Sequence, residues 1–214
     1  MKRFLPFAII AAVLLVALVA GVVLYQSKTG QTATTTLPTA PTPPLPLEKT
    51  AGAITLEEFG DYQCPPCGKL HPVLKTIKEE FGDRVKFVFH QYPLMQIHPH
   101  ALAAAQAAVA AGFQGRFWQM HDLIYQNQSA WTSAPDVQPY FINYARQAGV
   151  DVSRFLNDTV NSRTTTIISS DLQRGQALGV NSTPTVFIDG REVPFKDLTL
   201  DHLRQEIRNR LDGG

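Results

Sequence analysis

The sequence predicts an α/β fold in which a long helical segment interrupts a small mixed sheet. Two observations carry this prediction. Strand-like runs stand near both ends of residues 51–214, and the segment from about 98 to 178 between them shows only helical patterns. A third observation locates the chemistry, because the only two cysteines of the chain lie directly between the first strand-like run and the first helix-like run.

The first part of this segment reads as strand, helix and strand. The run Ala53–Phe59 is rich in β-branched and apolar residues and is bounded by glycines. An apolar stripe at helical spacing predicts a helix after the cysteines, and Gly82 marks its end. The run Arg84–His90 alternates apolar and polar side chains, which predicts a second strand. The apolar stripe of the helix consists of Leu70, Leu74, Ile77 and Phe81.

The last part of the chain predicts a hairpin and a helix. Thr185–Ile188 is a short apolar strand, Asp189-Gly190 is a hairpin turn signal, and Arg191–Val193 is the returning strand. Leu200, Leu203 and Ile207 then mark an amphipathic helix. Without the block 98–178, the order is that of a thioredoxin unit. We therefore predict a thioredoxin fold with an inserted helical domain, whose apolar helix faces are covered by the same sheet.

Charge and composition exclude some classes of function. The chain has 19 Lys and Arg against 18 Asp and Glu, and no basic cluster stands out. Nucleic-acid binding is not expected, since it leaves a basic patch or stripe.

The first 25 residues predict a membrane anchor or a signal segment. A cationic head, Met1-Lys2-Arg3, precedes the uncharged run Phe4–Tyr25. As a helix, this run would span roughly 33 Å, enough for a bilayer core. We favour an anchor through residues 4–25, and the alternative is a signal peptide cleaved after Gly21. The body is therefore expected to be extracytoplasmic, either anchored to the cell membrane or, after cleavage, periplasmic or secreted.

Residues 26–50 predict an extended linker. Thirteen of these 25 residues are Thr or Pro, a composition that cannot bury a core. The folded domain is accordingly assigned to residues 51–214.

The cysteine pair predicts thiol–disulfide exchange. Cys64 and Cys67 are separated by two prolines at the start of a helix, where unpaired N–H groups lower the pKa of a thiol. Cys64 is expected to reach solvent and attack a disulfide, and Cys67, facing inward, to resolve the mixed disulfide. A structural disulfide is an open alternative.

A zinc site is the other alternative, and it lacks ligands. Zinc needs two further ligands at suitable spacing, but the chain has no third cysteine, and His98 and His100 lie in an unrelated segment. No metal is expected, and no cofactor beyond a redox-active Cys64–Cys67 disulfide.

A proline before the third strand predicts a substrate platform. Pro184 follows Asn181-Ser182-Thr183, and together with the dithiol this indicates a cis Thr183–Pro184 bond. The backbone of Thr183 would then be free to pair with an extended peptide.

Several motifs resemble the DsbA-like family of thioredoxin-fold oxidoreductases, in its membrane-tethered, extracytoplasmic branch. They are the stretches 58–67 (EFGDYQCPPC), 92–94 (YPL), 98–100 (HPH), 117–122 (FWQMHD) and 179–185 (GVNSTPT). The resemblance implies an enzyme that donates disulfides to exported proteins with cysteines, and a membrane redox partner that recycles the dithiol. It also implies that Cys64 is the nucleophile, Cys67 the resolver, and Thr183 and Pro184 the peptide-binding loop.

Glu58 stands where this family often keeps a buried acid beneath the dithiol, so it is a candidate proton relay for Cys67. Because Glu57 is adjacent, either carboxylate could instead be solvated. Asp61 is close enough to raise the pKa of Cys64.

The dipeptide Pro65-Pro66 departs from the family, whose strong oxidants commonly carry His there. A reductase or an isomerase therefore stays open as an alternative to disulfide formation. The alternative of another class is a peptide-binding, chaperone-like module in which the dithiol is not essential.

Overall fold

The structure is a computed structural model, and it describes residues 54–213. Four strands form one mixed sheet in the order β2-β1-β3-β4, with β1 and β2 parallel and the other pairs antiparallel. The strands are β1 (Ile54–Gly60), β2 (Val85–Gln91), β3 (Thr185–Ile188) and β4 (Arg191–Val193). The two predicted N-terminal strands are therefore confirmed, each shifted by one residue.

Eight α-helices accompany the sheet within the described residues. They are α1 (Pro65–Phe81), α2 (Ala101–Gly112), α3 (Phe117–Gln126), α4 (Gln128–Trp131), α5 (Gln138–Gln147), α6 (Val152–Thr159), α7 (Ser162–Ala177) and α8 (Leu200–Asp212). Helices α2 to α7 all lie between β2 and β3 in the chain. This arrangement is the predicted thioredoxin fold with a helical insertion.

The alternation of β1 separates two environments. Leu56 packs in a core with Leu70 and Leu74 of α1 on one face of the sheet. Phe59 belongs to a different cluster, with Tyr92 and Phe187, on the other face. Because successive side chains of a strand point to opposite faces, Glu58 lies on the α1 side and Glu57 on the side of α7.

The hairpin between β3 and β4 has the turn that its sequence predicts. Asp189 and Gly190 have φ values of 49° and 76°. Positive φ at both central residues is the requirement of a type I′ turn, which matches the twist of the two strands. This turn and the cis loop before β3 fix where β3 enters the sheet.

The predicted anchor or signal segment (1–25) and the linker (26–50) lie outside the described residues. Within 54–213, no helix combines the length and the apolar character that crossing a bilayer requires.

A buried charge cluster ties α7 to the sheet. Glu57 Oε2 accepts hydrogen bonds from Arg174 at 2.7 Å and from His90 Nε2 at 3.0 Å. The other ring nitrogen of His90 donates to Asp171 Oδ1 at 2.8 Å. Burial alone would raise the pKa of Glu57 and lower that of His90, but these bonds outweigh burial, so the pKa of Glu57 is lowered and that of His90 is raised.

We expect this cluster to make stability depend on pH. The contribution of His90 is complete below about pH 6.5 and is lost as the pH rises through its raised folded-state pKa. That of Glu57 is complete above about pH 4.5 and is lost in acid. The free energy of unfolding, measured by chemical denaturation across this pH range, should decrease on the alkaline side. This decrease should be smaller in Asp171→Asn. An alkaline slope that is the same in both proteins would contradict this role of His90.

Candidate active site around Cys64 and Cys67

Cys64 and Cys67 occupy the first turn of α1. Cys64 is the N-cap residue, with extended backbone angles, and Pro65 follows as the first helical residue. Proline is suited to this position because its missing N–H would have no helical partner there. Two hydrogen bonds fix the backbone of Cys64. The Cys64 N–H donates to the Asp61 carbonyl (3.1 Å), and the Gly68 N–H donates to the Cys64 carbonyl (3.1 Å). Both cysteines are free thiols.

Cys64 is less exposed than the sequence indicates. A side chain at the start of a helix is expected to reach solvent, but only 5% of Cys64 is exposed, and Cys67 is completely buried. Two remote segments cover the first turn. Gln128, from the insertion, donates to the carbonyls of Tyr62 (2.8 Å) and Cys64 (2.9 Å), and Thr183 approaches the sulfur.

The loop before β3 faces Cys64. The Thr183–Pro184 peptide bond is cis, as the sequence predicts. The Cys64 thiol donates to the Thr183 carbonyl, with 3.3 Å between sulfur and oxygen. The Thr183 hydroxyl is buried and has no hydrogen-bond partner among the described atoms. This hydroxyl is therefore available as a donor if Cys64 loses its proton.

The surroundings of Cys64 favour its anion. The Cys67 thiol, as a hydrogen-bond donor, contributes most to lowering the pKa of Cys64 to about 6. The Thr183 side chain and the backbone N–H of Cys67 act in the same direction, while burial and the charge of Asp61 oppose them. A thiol with this pKa is mostly ionised at pH 7, which is the state that attacks a disulfide.

Cys67 behaves in the opposite way. Burial raises the pKa of Cys67 well above 9, and its bond to Cys64 and the charge of Glu58 add to this. The two thiols therefore differ in charge at neutral pH, because Cys64 is mostly anionic while Cys67 keeps its proton.

Glu58 lies buried beneath this pair. Burial, followed by the charge of Cys64, raises the pKa of Glu58 to about 8, so its carboxyl group is mostly protonated at pH 7. Its Oε1 atom has no hydrogen-bond partner within the described part of the chain. Glu57 is buried as well, on the other face, so neither carboxylate of the pair is solvated.

A cavity of about 300 Å³ connects Glu58 with the surface beside α1. Its lining includes Leu56, Phe87 and Phe89 of the sheet, and Lys75 and Lys78 of α1 at the outer side. Its walls are mostly apolar, but they include the polar side chains of Glu58, His71 and Asp122, and a cavity of this size has room for several water molecules. Glu58 therefore lines a cavity that opens beside α1.

Asp61 and His98 form a pair beside Cys64 that the sequence does not indicate. Asp61 is buried, and its carboxylate accepts from the backbone N–H groups of Gln63 (2.7 Å) and Leu94 (2.9 Å). The Nδ1 atom of His98 lies 2.7 Å from Asp61 Oδ2. The assignment of His98 to an unrelated segment is therefore wrong, because the loop after β2 folds back onto the cysteine segment.

Among the described residues, one group offers three ligand atoms close enough for a metal ion. The donor atoms of His71, His121 and Asp122 lie within 4.8 Å of one another. Both oxygens of Asp122 already accept hydrogen bonds, from His71 at 2.9 Å and from Lys75 at 2.7 Å. Burial lowers the pKa of His121 to about 3, and one ring nitrogen is bonded to the Tyr62 hydroxyl. The group is thus a hydrogen-bonded packing cluster next to the cavity.

The family follows from a comparison with known sequences. The family model described as Thioredoxin matches residues 49–209, which is more than half of the chain. The chain belongs to this family. The match includes Cys64, Cys67 and the Thr183–Pro184 loop.

The fold is also found in solved structures of other proteins. BdbD of Bacillus subtilis, in its oxidised form, has a TM-score of 0.65 and 22% identity, covering 78% of this chain and 91% of that chain. The thiol-disulfide exchange protein alpha-DsbA2 of Wolbachia pipientis has a TM-score of 0.63 and 20% identity, covering 76% and 84%. These similarities confirm the predicted fold.

A curated relative comes from a different class of protein. A segment of the Na(+)/H(+) antiporter NhaA 1 of Salinispora arenicola is 35% identical over 138 residues. The match covers 64% of this chain and 20% of the antiporter. The chain thus spans about a fifth of the length of this relative.

Proposed function

We propose that the protein is a thiol–disulfide oxidoreductase that forms disulfides in extracytoplasmic proteins. The observation that carries the proposal is the contrast between the two thiols of one turn: Cys64, at the helix N-cap, donates to the Thr183 carbonyl at 3.3 Å, while Cys67 is completely buried. This placement lowers the pKa of Cys64 to about 6 and raises that of Cys67. A structural disulfide needs no such contrast, whereas exchange needs a good leaving group at one sulfur and a resolving thiol at the other.

The proposed reaction transfers two electrons from substrate to enzyme. A substrate thiolate attacks Cys64 Sγ of the oxidised enzyme, the Cys64–Cys67 bond breaks, and Cys67 leaves with the electron pair and takes up a proton. A second substrate thiolate then attacks the substrate sulfur of the mixed disulfide. The substrate disulfide forms, Cys64 leaves as a thiolate, and the remaining proton goes to solvent.

The acidity of Cys64 favours oxidation of substrates over reduction. A stable thiolate stabilises the reduced enzyme, which makes the enzyme disulfide a stronger oxidant. The hydrogen-bond donors that stabilise the Cys64 thiolate come from Cys67 and Thr183 and not from the dipeptide. The lack of a His at Pro66 therefore matters less. Reductase and isomerase activity are the alternative outcomes of a transfer experiment.

Thr183 is proposed to hold the substrate backbone. In the neutral state its carbonyl accepts the Cys64 S–H. When Cys64 ionises, this donor disappears, so the carbonyl becomes free to accept an N–H from an extended peptide. After the same ionisation, the Thr183 hydroxyl can donate a hydrogen bond to the Cys64 thiolate.

The proposed setting is the outer side of the cell membrane, with residues 4–25 as anchor or as a cleaved signal. Its substrates would be unfolded or exported proteins with cysteines. Repeated turnover requires a partner that takes two electrons from the dithiol, and we propose a membrane redox protein for this role.

Transfer to a reduced, unfolded protein with two cysteines tests the function. We expect the oxidised protein to form about one substrate disulfide per enzyme and to emerge as the dithiol, measured by thiol trapping and mass spectrometry. Cys64→Ser should abolish transfer because no mixed disulfide can form. Equilibration with glutathione should show a disulfide more oxidising than that of glutathione.

Absence of stoichiometric transfer by the wild-type protein would refute the oxidase. A strongly reducing equilibrium with glutathione would favour the reductase, and reshuffling of scrambled disulfides without net oxidation would favour the isomerase. If Cys64→Ser can replace the wild-type protein in the cell, a peptide-binding module without an essential dithiol explains the protein better.

Glu58 is proposed to supply the proton that Cys67 takes up. Its carboxyl group is protonated at pH 7, it lies next to the dithiol, and the cavity gives it a route to solvent. Glu58→Gln should therefore slow reduction of the oxidised protein by a dithiol peptide, by about 10- to 100-fold at pH 7. The ratio of the two rates should fall at alkaline pH, where the wild-type acid loses its proton.

Stopped-flow fluorescence measures both rates. Glu57→Gln is the matched control, because the adjacent carboxylate faces the other side of the sheet, so it should lower stability and leave the rate unchanged. Equal rates for wild-type and Glu58→Gln would exclude the relay.

A further inference from the structure

A buried carboxylate beside the nucleophile is an unexpected feature of an enzyme that depends on a thiolate. Asp61 lies three residues before Cys64, and its negative charge raises the pKa of the thiol. Its side chain is fully buried, so water does not screen it. The backbone needs this carboxylate nonetheless, because it caps the N–H groups of Gln63 and Leu94.

His98 is the one side chain described at hydrogen-bond distance from this carboxylate. Its Nδ1 stands 2.7 Å from Asp61 Oδ2, and only 16% of its side chain is exposed. Because a carboxylate only accepts, Nδ1 must carry the proton that is shared between them. The position of the ring is set by the loop, in which His98 N–H donates to Leu94 O at 2.9 Å and Ala101 N–H donates to His98 O at 3.2 Å.

We propose that His98 is a positioning residue of the redox site, which holds Asp61 and offsets its negative charge beside Cys64. It does not touch the sulfur and acts through the carboxylate alone. Thus a loop 37 residues after Asp61 supplies the hydrogen-bond donor that the Pro65-Pro66 dipeptide does not.

The consequence for the redox equilibrium rests on the proposed function. In the oxidised protein Cys64 carries no charge, so Asp61 costs little. In the reduced protein a thiolate faces the carboxylate, and the hydrogen bond from His98 weakens their repulsion. His98 therefore stabilises the reduced form selectively and makes the disulfide more oxidising.

His98→Leu tests the proposal by removing the donor. The readout is the pH titration of thiolate absorbance at Cys64 in the reduced protein, which needs no substrate and is therefore independent of whether the protein is an oxidase. We expect the pKa of Cys64 to rise by about one unit, as for a newly uncompensated neighbouring charge. The equilibrium with glutathione should then shift about fivefold toward the oxidised protein at pH 7.

A double-mutant cycle shows whether His98→Leu changes the pKa of Cys64 through Asp61 or by another route. Asp61→Asn alone should lower the pKa of Cys64, and His98→Leu should have no further effect in that background. His100→Leu is the matched control, since His100 lies in the same loop but bonds the Ala134 carbonyl at 2.9 Å and no acid, so the pKa should not change.

Two results would overturn the proposal. One is an unchanged pKa of Cys64 in His98→Leu, and the other is the same rise in the absence of the Asp61 carboxylate. If His98→Leu does not fold, the pKa of Cys64 in Asp61→Asn decides alone. An unchanged or raised pKa of Cys64 in that variant would show that the charge of Asp61 does not act on the thiol, and His98 would then have no charge to offset.

Discussion

The sulfur of Cys64 lies where three parts of the chain meet: the first turn of α1, the cis loop before β3 and the insertion. Each part contributes something that the others cannot. The helix brings the donors of Cys67, the loop brings the carbonyl and the hydroxyl of Thr183, and Gln128 of the insertion fixes the backbone of Cys64. The preference for a thiolate at this sulfur is therefore a property of the assembled fold.

Three acidic residues in β1 and the segment that follows it lie in three different environments. Glu58 is buried without a partner for its Oε1 among the described atoms and keeps its proton, which suits a group that delivers one. Glu57, one residue earlier, faces the other side of the sheet and is ionised because Arg174 and His90 bind it. Asp61 lies between two backbone N–H groups and His98. The strand alternation of β1 thus leaves one carboxyl group protonated on the α1 side of the sheet and its neighbour ionised on the α7 side.

Local patterns predict the elements and the two cysteines, because strand alternation, helical spacing and the Asp189-Gly190 turn are short-range signals. The burial of Cys64 could not be predicted this way, since it depends on Gln128 and Thr183, which lie far away in sequence. The contact of His98 with Asp61 escapes local patterns for the same reason. Glu58 and Glu57 look equivalent in the sequence, and only the register of β1 against β2 and β3 distinguishes them.

The rate of alkylation of Cys64 as a function of pH tests the central claim most directly. The reduced protein would be treated with iodoacetamide at a series of pH values, with the modified residue identified by mass spectrometry. We expect the rate to follow an ionisation with a midpoint at about pH 6. A midpoint at about pH 8.5, as for a cysteine in an unfolded peptide, would contradict the claim that the assembled fold stabilises this thiolate.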